Sequence, residues 1–335
     1  MSELALARIR ELIQEDIGKR GLRTDPAANL ISACSEDFAA ACQSLASTPD
    51  PGVAIITGFF IPHAQPPCSE TDGPLGAIFL ARALVPLGFR IALVTDGFCS
   101  RALEFGLKAC SLEGKVPLFT LPPRADDWES WQDSFLSRFA FTHLLAVERV
   151  GPSHTPSSLK AQPGSTRQDM EQFEREVPTV HYDRCHTMRG LDITEQMAPA
   201  HLLLEGAARR HPGTITIGIG DGGNEIGMGK IPWQVIRRNI PNGGLVACRV
   251  PTDYLIVAGT SNWGAYGLAA GVRILRGALP DPELFDPDRE REILRIMVES
   301  GPLVDGVLAR PAVSVDGIPY ERYGIILRQL AAIHS

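Results

Sequence analysis

The sequence predicts an α/β fold: a doubly wound, mostly parallel sheet with helices on both faces and a C-terminal helical tail. Three observations predict it. Short apolar runs such as residues 53–61 (VAIITGFFI) recur and are nearly continuous, as in strands covered on both faces. Stretches with helical apolar spacing separate them, so strand and helix alternate. Glycines and acids gather just past the runs, where open α/β sheets carry their ligand sites.

Residues 1–20 (MSELALARIRELIQEDIGKR) read as an amphipathic surface helix. Glu3, Glu11, Glu15 and Asp16 distinguish it from transit peptides, which avoid acids, and no apolar signal-peptide run is present; a cytoplasmic protein is expected. Asp25-Pro26 breaks the chain, and residues 30–46 regain helical spacing. The first strong strand, 53–61, enters a proline-rich loop ending in Glu70-Thr71-Asp72-Gly73-Pro74. A helix rich in Ala and Leu is expected over 75–87, a second strand over 90–96 and a helix over 100–111. A third strand follows over 116–121, a helix over 128–139, and a fourth strand over 143–148 (HLLAVE) that ends in Glu148-Arg149. Residues 150–165 are rich in Ser, Pro and Gly without periodicity, which fits an interdomain linker or a mobile loop over the site. Thr194 caps a helix through Arg210. That helix leads into a β-branched strand over 214–219. Two more short strands fall at 245–250 and 254–258, and 259–264 (GTSNWG) opens a small-residue helix over 265–275. The tail forms two amphipathic helices, 286–300 and 319–333, which could pack in cis or at a homo-oligomer interface. The expected organisation is one catalytic domain over 1–335, with a mobile insertion at about 150–180 and the helical tail at about 280–335.

Composition narrows the function. With 335 residues, 44% hydrophobic and 21% charged, the chain is an ordinary globular protein long enough for a large core. A net charge of -7 argues against nucleic acid as a partner. No apolar run approaches the about 18 residues of a membrane span. Seven scattered cysteines, odd in number and without a C-x-x-C pair, read as free thiols of a reducing compartment.

The stretch 214–230 (TITIGIGDGGNEIGMGK) is the richest in chemistry. Its glycines, Gly222 and Gly223 among them, let a backbone turn tightly or a ligand approach. Asp221, Asn224 and Glu225 inside that turn suit a hard cation or a polar substrate; the plainer alternative is that they cap the next helix. A dinucleotide loop does not fit. The G-x-G-x-x-G match at Gly218 lacks the acid expected about 20 residues on, and Gly229-Lys230 is followed by Ile231 rather than Ser or Thr.

Further acids occupy corresponding positions. Glu70 and Asp72 follow the first strand, Asp96 ends the second, Glu148 the fourth, and Asp221 and Glu225 follow the strand at 214–219. Strand ends of a doubly wound sheet share one rim, so these carboxylates converge around Mg²⁺ or Mn²⁺ unless they sit apart on solvated loops. Ser261 and Asn262 lie at another strand-to-helix junction. Ser261 suits a helix cap, and Asn262 with the helix N–H groups suits a substrate carboxylate. Arg189 is a candidate carboxylate clamp. His181, Asp183, Cys185 and His186 match no zinc spacing and read as structural. No G-x-S-x-G elbow supports a serine hydrolase.

Together TGFFIP (57–62), SETDGPLGA (69–77), HLLAVERVG (143–151), GIGDGGNEIGMGK (218–230) and AGTSNWGAYGLA (258–269) resemble the D-glutamate cyclase C-terminal domain family, over about residues 1–275. In animals this domain looks like the catalytic part of a larger mitochondrial protein that converts D-glutamate to 5-oxo-D-proline and water; this chain resembles the domain alone. Archaeal relatives have also been described as manganese-dependent phosphatases. The resemblance implies a lyase acting on a small amino acid with a divalent metal, Mn²⁺ or Mg²⁺. On that reading Asp72, Glu148 and Asp221 hold the metal, and Glu225 is the base, with Asp221 and Asn224 beside it. Asp72, Arg189, Ser261, Asn262, Gly222 and Gly223 then contact substrate. The alternatives are a metal-dependent phosphatase acting through the same acids, and a non-catalytic module binding metal or an acidic ligand.

Overall fold

The computed structural model describes residues 2–123 and 125–334. Six strands form its sheet: β1 (Gly52–Thr57), β2 (Arg90–Thr95), β3 (Leu118–Thr120), β4 (His143–Val147), β5 (Ile215–Gly220) and β6 (Tyr254–Val257). Every neighbouring pair is parallel and the order across the sheet is β3-β2-β1-β4-β5-β6. The chain starts mid-sheet, winds outward to β3, returns beside β1 as β4 and winds the other way. Such a reversal leaves a crevice at the strands' carboxyl ends. The register places Thr57, Val147 and Ile219 abreast, so Glu148 and Gly220 emerge side by side at that crevice.

Each strand supplies both faces. Val53 and Ile55 join one core with Leu93, Leu145 and Ile217, whereas Ala54 and Ile56 join a second with Val94, Leu144 and Ala146. This two-residue alternation of all-apolar strands is why the runs read as continuous. The first core is roofed by α1 (Ser2–Ile13), α2 (Asp37–Ser47), α3 (Pro74–Leu84), α4 (Gly97–Ala109), α8 (Ser261–Leu275), α9 (Pro287–Ser300) and α10 (Ile325–His334). The second lies under α5 (Trp128–Arg138), α6 (Arg167–Glu176) and α7 (His201–Arg210). The tail packs in cis, with Leu327 and Leu330 of α10 buried in the core that holds Leu6 and Ile9 of α1. No helix among the described residues is long and apolar enough to cross a membrane.

Several expectations change. Residues 30–46 break into Leu30–Ala33 and α2. The stretch 150–165, read as having no periodicity, carries the helix Pro156–Ala161, and α6 follows it; each is opened by a capping box, Thr155 with Ser158 and Thr166 with Asp169. That signal was local and present in the sequence. Thr194 caps no long helix: Pro199 intervenes, α7 starts at His201, and Thr194 Oγ1 instead donates to Asp192 at 2.6 Å. The strand expected at 245–250 is replaced by a helical turn, Gly243–Val246, that starts from Asn242 in the left-handed region. The tail also holds a hairpin, Ser314–Val315 against Ile318–Pro319. Its Asp316-Gly317 turn has positive φ at both residues (54° and 72°), the pattern of a type I′ turn.

Candidate active site

Beyond β1 the chain folds into a short ribbon, Phe60–Ile61 against Cys68–Ser69, which returns Glu70 and Asp72 to the rim. Asp72 and Asn262 cap each other's helices. The Asp72 carboxylate accepts the N–H of Ser261 and of Asn262, both at 2.8 Å, at the start of α8. Asn262 Oδ1 accepts the N–H of Gly73 (2.8 Å) and Gly76 (2.7 Å) at the start of α3, and its Nδ2 donates to Thr71 O. Asn262 is fully buried with both ends of its amide engaged by the protein, which leaves it a structural clamp rather than the substrate-carboxylate ligand expected from sequence. Ser261 is not the cap either: Thr260 accepts the N–H of Trp263, and Ser261 Oγ donates to Glu148 Oε2 at 2.6 Å.

In the glycine turn, Glu225 accepts three backbone N–H groups, from Asp221 (2.9 Å), Gly222 (2.6 Å) and Gly223 (2.7 Å). Both its oxygens hold the shape of the turn behind it; Glu225 does not cap the next helix, Trp233–Asn239, as the plainer sequence reading had it. A side chain at Gly222 would meet Met188 Sδ at 2.9 Å, and at Gly223, where φ is +104°, Ile236 at 2.8 Å. The space beside these glycines is filled by protein, so the tight turn rather than ligand approach requires them. Asn224 Nδ2 donates to His186 O at 2.8 Å, while its buried Oδ1 has no partner among the described residues. Asp96 is withdrawn from the rim: Arg149, fully buried, pairs with it, and Ala198 N–H donates to it at 2.6 Å. His181 and His186 hydrogen-bond each other at 3.1 Å.

Two residues that sequence reasoning did not single out complete the site. Arg20 reaches in from the loop after α1, with its Nε 3.2 Å from Asp221 Oδ2 and its Nη2 paired to Asp316. Asp316 comes from the tail hairpin. That hairpin is fixed by Asp305, which accepts the N–H of Gly317 and the hydroxyl of Ser314. Asp-Gly between short apolar stretches was a legible hairpin signal. Nothing local marked Arg20.

Glu70, Asp72, Glu148, Asp221 and Asp316 are all buried. Their oxygens meet in overlapping sets: Asp72, Asp221 and Asp316 form one triple with atoms within 4.8 Å of one another, and Glu148, Asp221 and Glu225 form a second. The expected trio of Asp72, Glu148 and Asp221 is thus divided between two triples that share Asp221. Burial first, then neighbouring carboxylates, pushes Glu70, Asp72 and Glu148 well above the usual carboxylate range. Asp221 is pushed up by burial against the opposing pull of Arg20. Asp221 Oδ2 and Asp316 Oδ2 have no hydrogen-bond donor among the described residues; the Arg20 contact to the former is an ion pair without hydrogen-bond alignment.

Arg20, Glu70, Glu148 and Asp316 line a cavity of about 100 Å³ whose apolar side includes Phe59 and Met188. Arg189 also lines it but is exposed, with its guanidinium 3.5 Å from Val307 O. Cavities for drug-sized ligands run to about 300–1,000 Å³, so this one suits a compact polar metabolite.

Comparison with known proteins follows the same line. A family model described as D-glutamate cyclase-like, C-terminal, matches residues 9–331, which extends the likeness through Asp316 and α10. The human protein named "D-glutamate cyclase, mitochondrial" is 31% identical over 284 residues, covering 81% of this chain. The chain spans 39% of that relative's length.

Proposed function

The chain belongs to the D-glutamate cyclase-like, C-terminal family, and on that premise we propose that it closes D-glutamate to 5-oxo-D-proline and water. The observation that carries this reading is one small cavity lined by three buried carboxylates, Glu70, Glu148 and Asp316, together with the guanidinium of Arg20.

In the reaction the α-nitrogen bonds to the γ-carbon and a γ-carboxylate oxygen leaves. Two protons depart the ammonium nitrogen and both end on the departing oxygen, so no net proton enters or leaves. Such a reaction needs a group that takes a proton and returns it. Glu148 is the proposed carrier, because it lines the cavity and burial with neighbouring acids raises it well above the usual carboxylate range, which favours its holding a proton. Ser261 Oγ keeps it oriented. Glu225, the base expected from sequence, is better suited to holding the turn, since three N–H groups occupy its oxygens. Glu70 faces the cavity and would receive the substrate ammonium. Phe59 and Met188 would exclude water and favour the folded substrate pose. Asn224 ties the turn to the backbone at His186.

The donor set also fits a divalent cation. It is all oxygen, and Asp221 Oδ2 and Asp316 Oδ2 have no hydrogen-bond donor among the described residues, so Asp72, Asp221 and Asp316 would hold Mn²⁺ or Mg²⁺. Bound there, the ion would neutralise the cluster and polarise a substrate carboxylate. The cytoplasm is the proposed compartment, in keeping with seven unpaired cysteines.

Incubation with D-glutamate, L-glutamate and a generic phosphate ester, with and without Mn²⁺, tests the reading. Oxoproline from D-glutamate is expected. Phosphate release without oxoproline would favour the phosphatase alternative, and binding without either product a non-catalytic module.

Stability offers a second test. Acids raised in the folded state stabilise it fully at low pH and lose that contribution as pH climbs through their folded values. Buried histidines such as His143, held down to about 4, act the opposite way, but above about pH 7 they are neutral in folded and unfolded chains alike. As pH climbs above the ordinary carboxylate range, the melting temperature with Mn²⁺ is therefore expected to pull ahead of that without divalent cation, a difference in which the histidines cancel. A cation-independent profile would count against the metal.

A further inference from the structure

We propose that Arg20 reads the substrate's α-carboxylate and thereby makes an acidic pocket select an anionic amino acid. The inference rests on glutamate as the substrate and adds the residue that discriminates it.

The backbone that carries Arg20 is held by hydrogen bonds from both near and far along the chain. The Asp16 carboxylate accepts the backbone N–H of Arg20 (2.7 Å), Gly21 (3.0 Å) and Leu22 (3.2 Å). The flanking residues Lys19 and Gly21 both have positive φ, 52° and 97°. A Cβ on Gly21 would lie 2.4 Å from Asn239 O, so the loop sits directly on that residue. Asn239 also accepts the hydroxyl of Thr24 and the N–H of Asp25. Preorganisation of this kind reduces the cost of ordering a side chain for binding.

The guanidinium then lines the cavity beside Asp221 and Asp316. Its Nε and Nη2 face Asp221 and Asp316, which fixes its plane, while Nη1 makes no hydrogen bond among the described residues. An anion entering among buried carboxylates needs compensating positive charge, and a guanidinium supplies it with directed N–H donors. Arg189, the sequence candidate, is solvated at the same cavity and is less confined.

The test pairs an enzyme change with a substrate change. 4-Aminobutyrate is glutamate without its α-carboxylate, and its amine can close on its own carboxylate in the same way. The wild type is expected to favour D-glutamate, and Arg20→Met to shrink that preference in kcat/KM by roughly 30–100-fold, mainly through KM. Arg20→Lys, which keeps the charge among the carboxylates but loses the planar fork, is expected to restore only part of it. Thermal melting monitors the fold of both variants. Calorimetric titration of the same two ligands gives the binding preference independently of turnover. If the wild type binds D-glutamate preferentially but forms no oxoproline, the proposed reaction fails while Arg20 is still tested. Equal losses on both ligands in either variant, or a wild type that does not distinguish them, would overturn the assignment.

Discussion

Asp221→Asn is expected to lower the rate of oxoproline formation by at least about 100-fold, the scale for removing one preorganised electrostatic group, while the fold persists. Asp221 is 1% exposed and belongs to both carboxylate triples. The amide has the same shape but neither charge nor full acceptor strength. Structurally the exchange relieves the cluster: the pKa of Asp221 is already pushed up by burial, and Arg20 keeps Asp316 as its partner. Melting temperature is therefore expected to hold or rise in metal-free buffer. A residue important only for packing would show the reverse pairing, falling stability with activity retained in the folded fraction. Wild-type turnover in this variant would remove Asp221 from the mechanism.

Asn262→Ala is expected to act through stability, costing about 2–4 kcal/mol in urea unfolding. The change orphans the N–H groups of Gly73 and Gly76 and the carbonyl of Thr71, all in a region closed to water. Unpaired buried backbone groups cost about 1–3 kcal/mol each, with partial relief if the loop shifts. Since α3 and α8 lie against each other, loosening their starts also frees Asp72, the opposite half of the clamp. A loss below about 0.5 kcal/mol would show that water reaches these groups and that the clamp is not structural.

Most of the rim was legible in the order of residues alone. Asp72, Glu148 and Asp221 follow strands whose apolar runs are strong, and position after a strand is enough to assign a side of the sheet. The hairpin carrying Asp316 had a local signal that a helical reading of the tail overlooked. Arg20 had none, because it belongs to an irregular loop. The course of that loop is set by Asp16 nearby and by Asn239, which lies far along the chain yet holds Thr24 and Asp25.

Periodicity, turn chemistry and capping act over a few residues. For that reason the amino-acid order was sufficient for the parallel sheet, the glycine turn and the acids at its edge. Which oxygens remain available was settled by the folded chain. A carboxylate or amide whose oxygens already accept several N–H groups has little left to offer a ligand. Glu225 and Asn262 are occupied in that way, whereas Asp221 and Asp316 keep an oxygen without a hydrogen-bond donor among the described residues. Residues of similar chemistry thus differ in what they can still bind because of their hydrogen-bond partners, local for Glu225 and distant for Asn262.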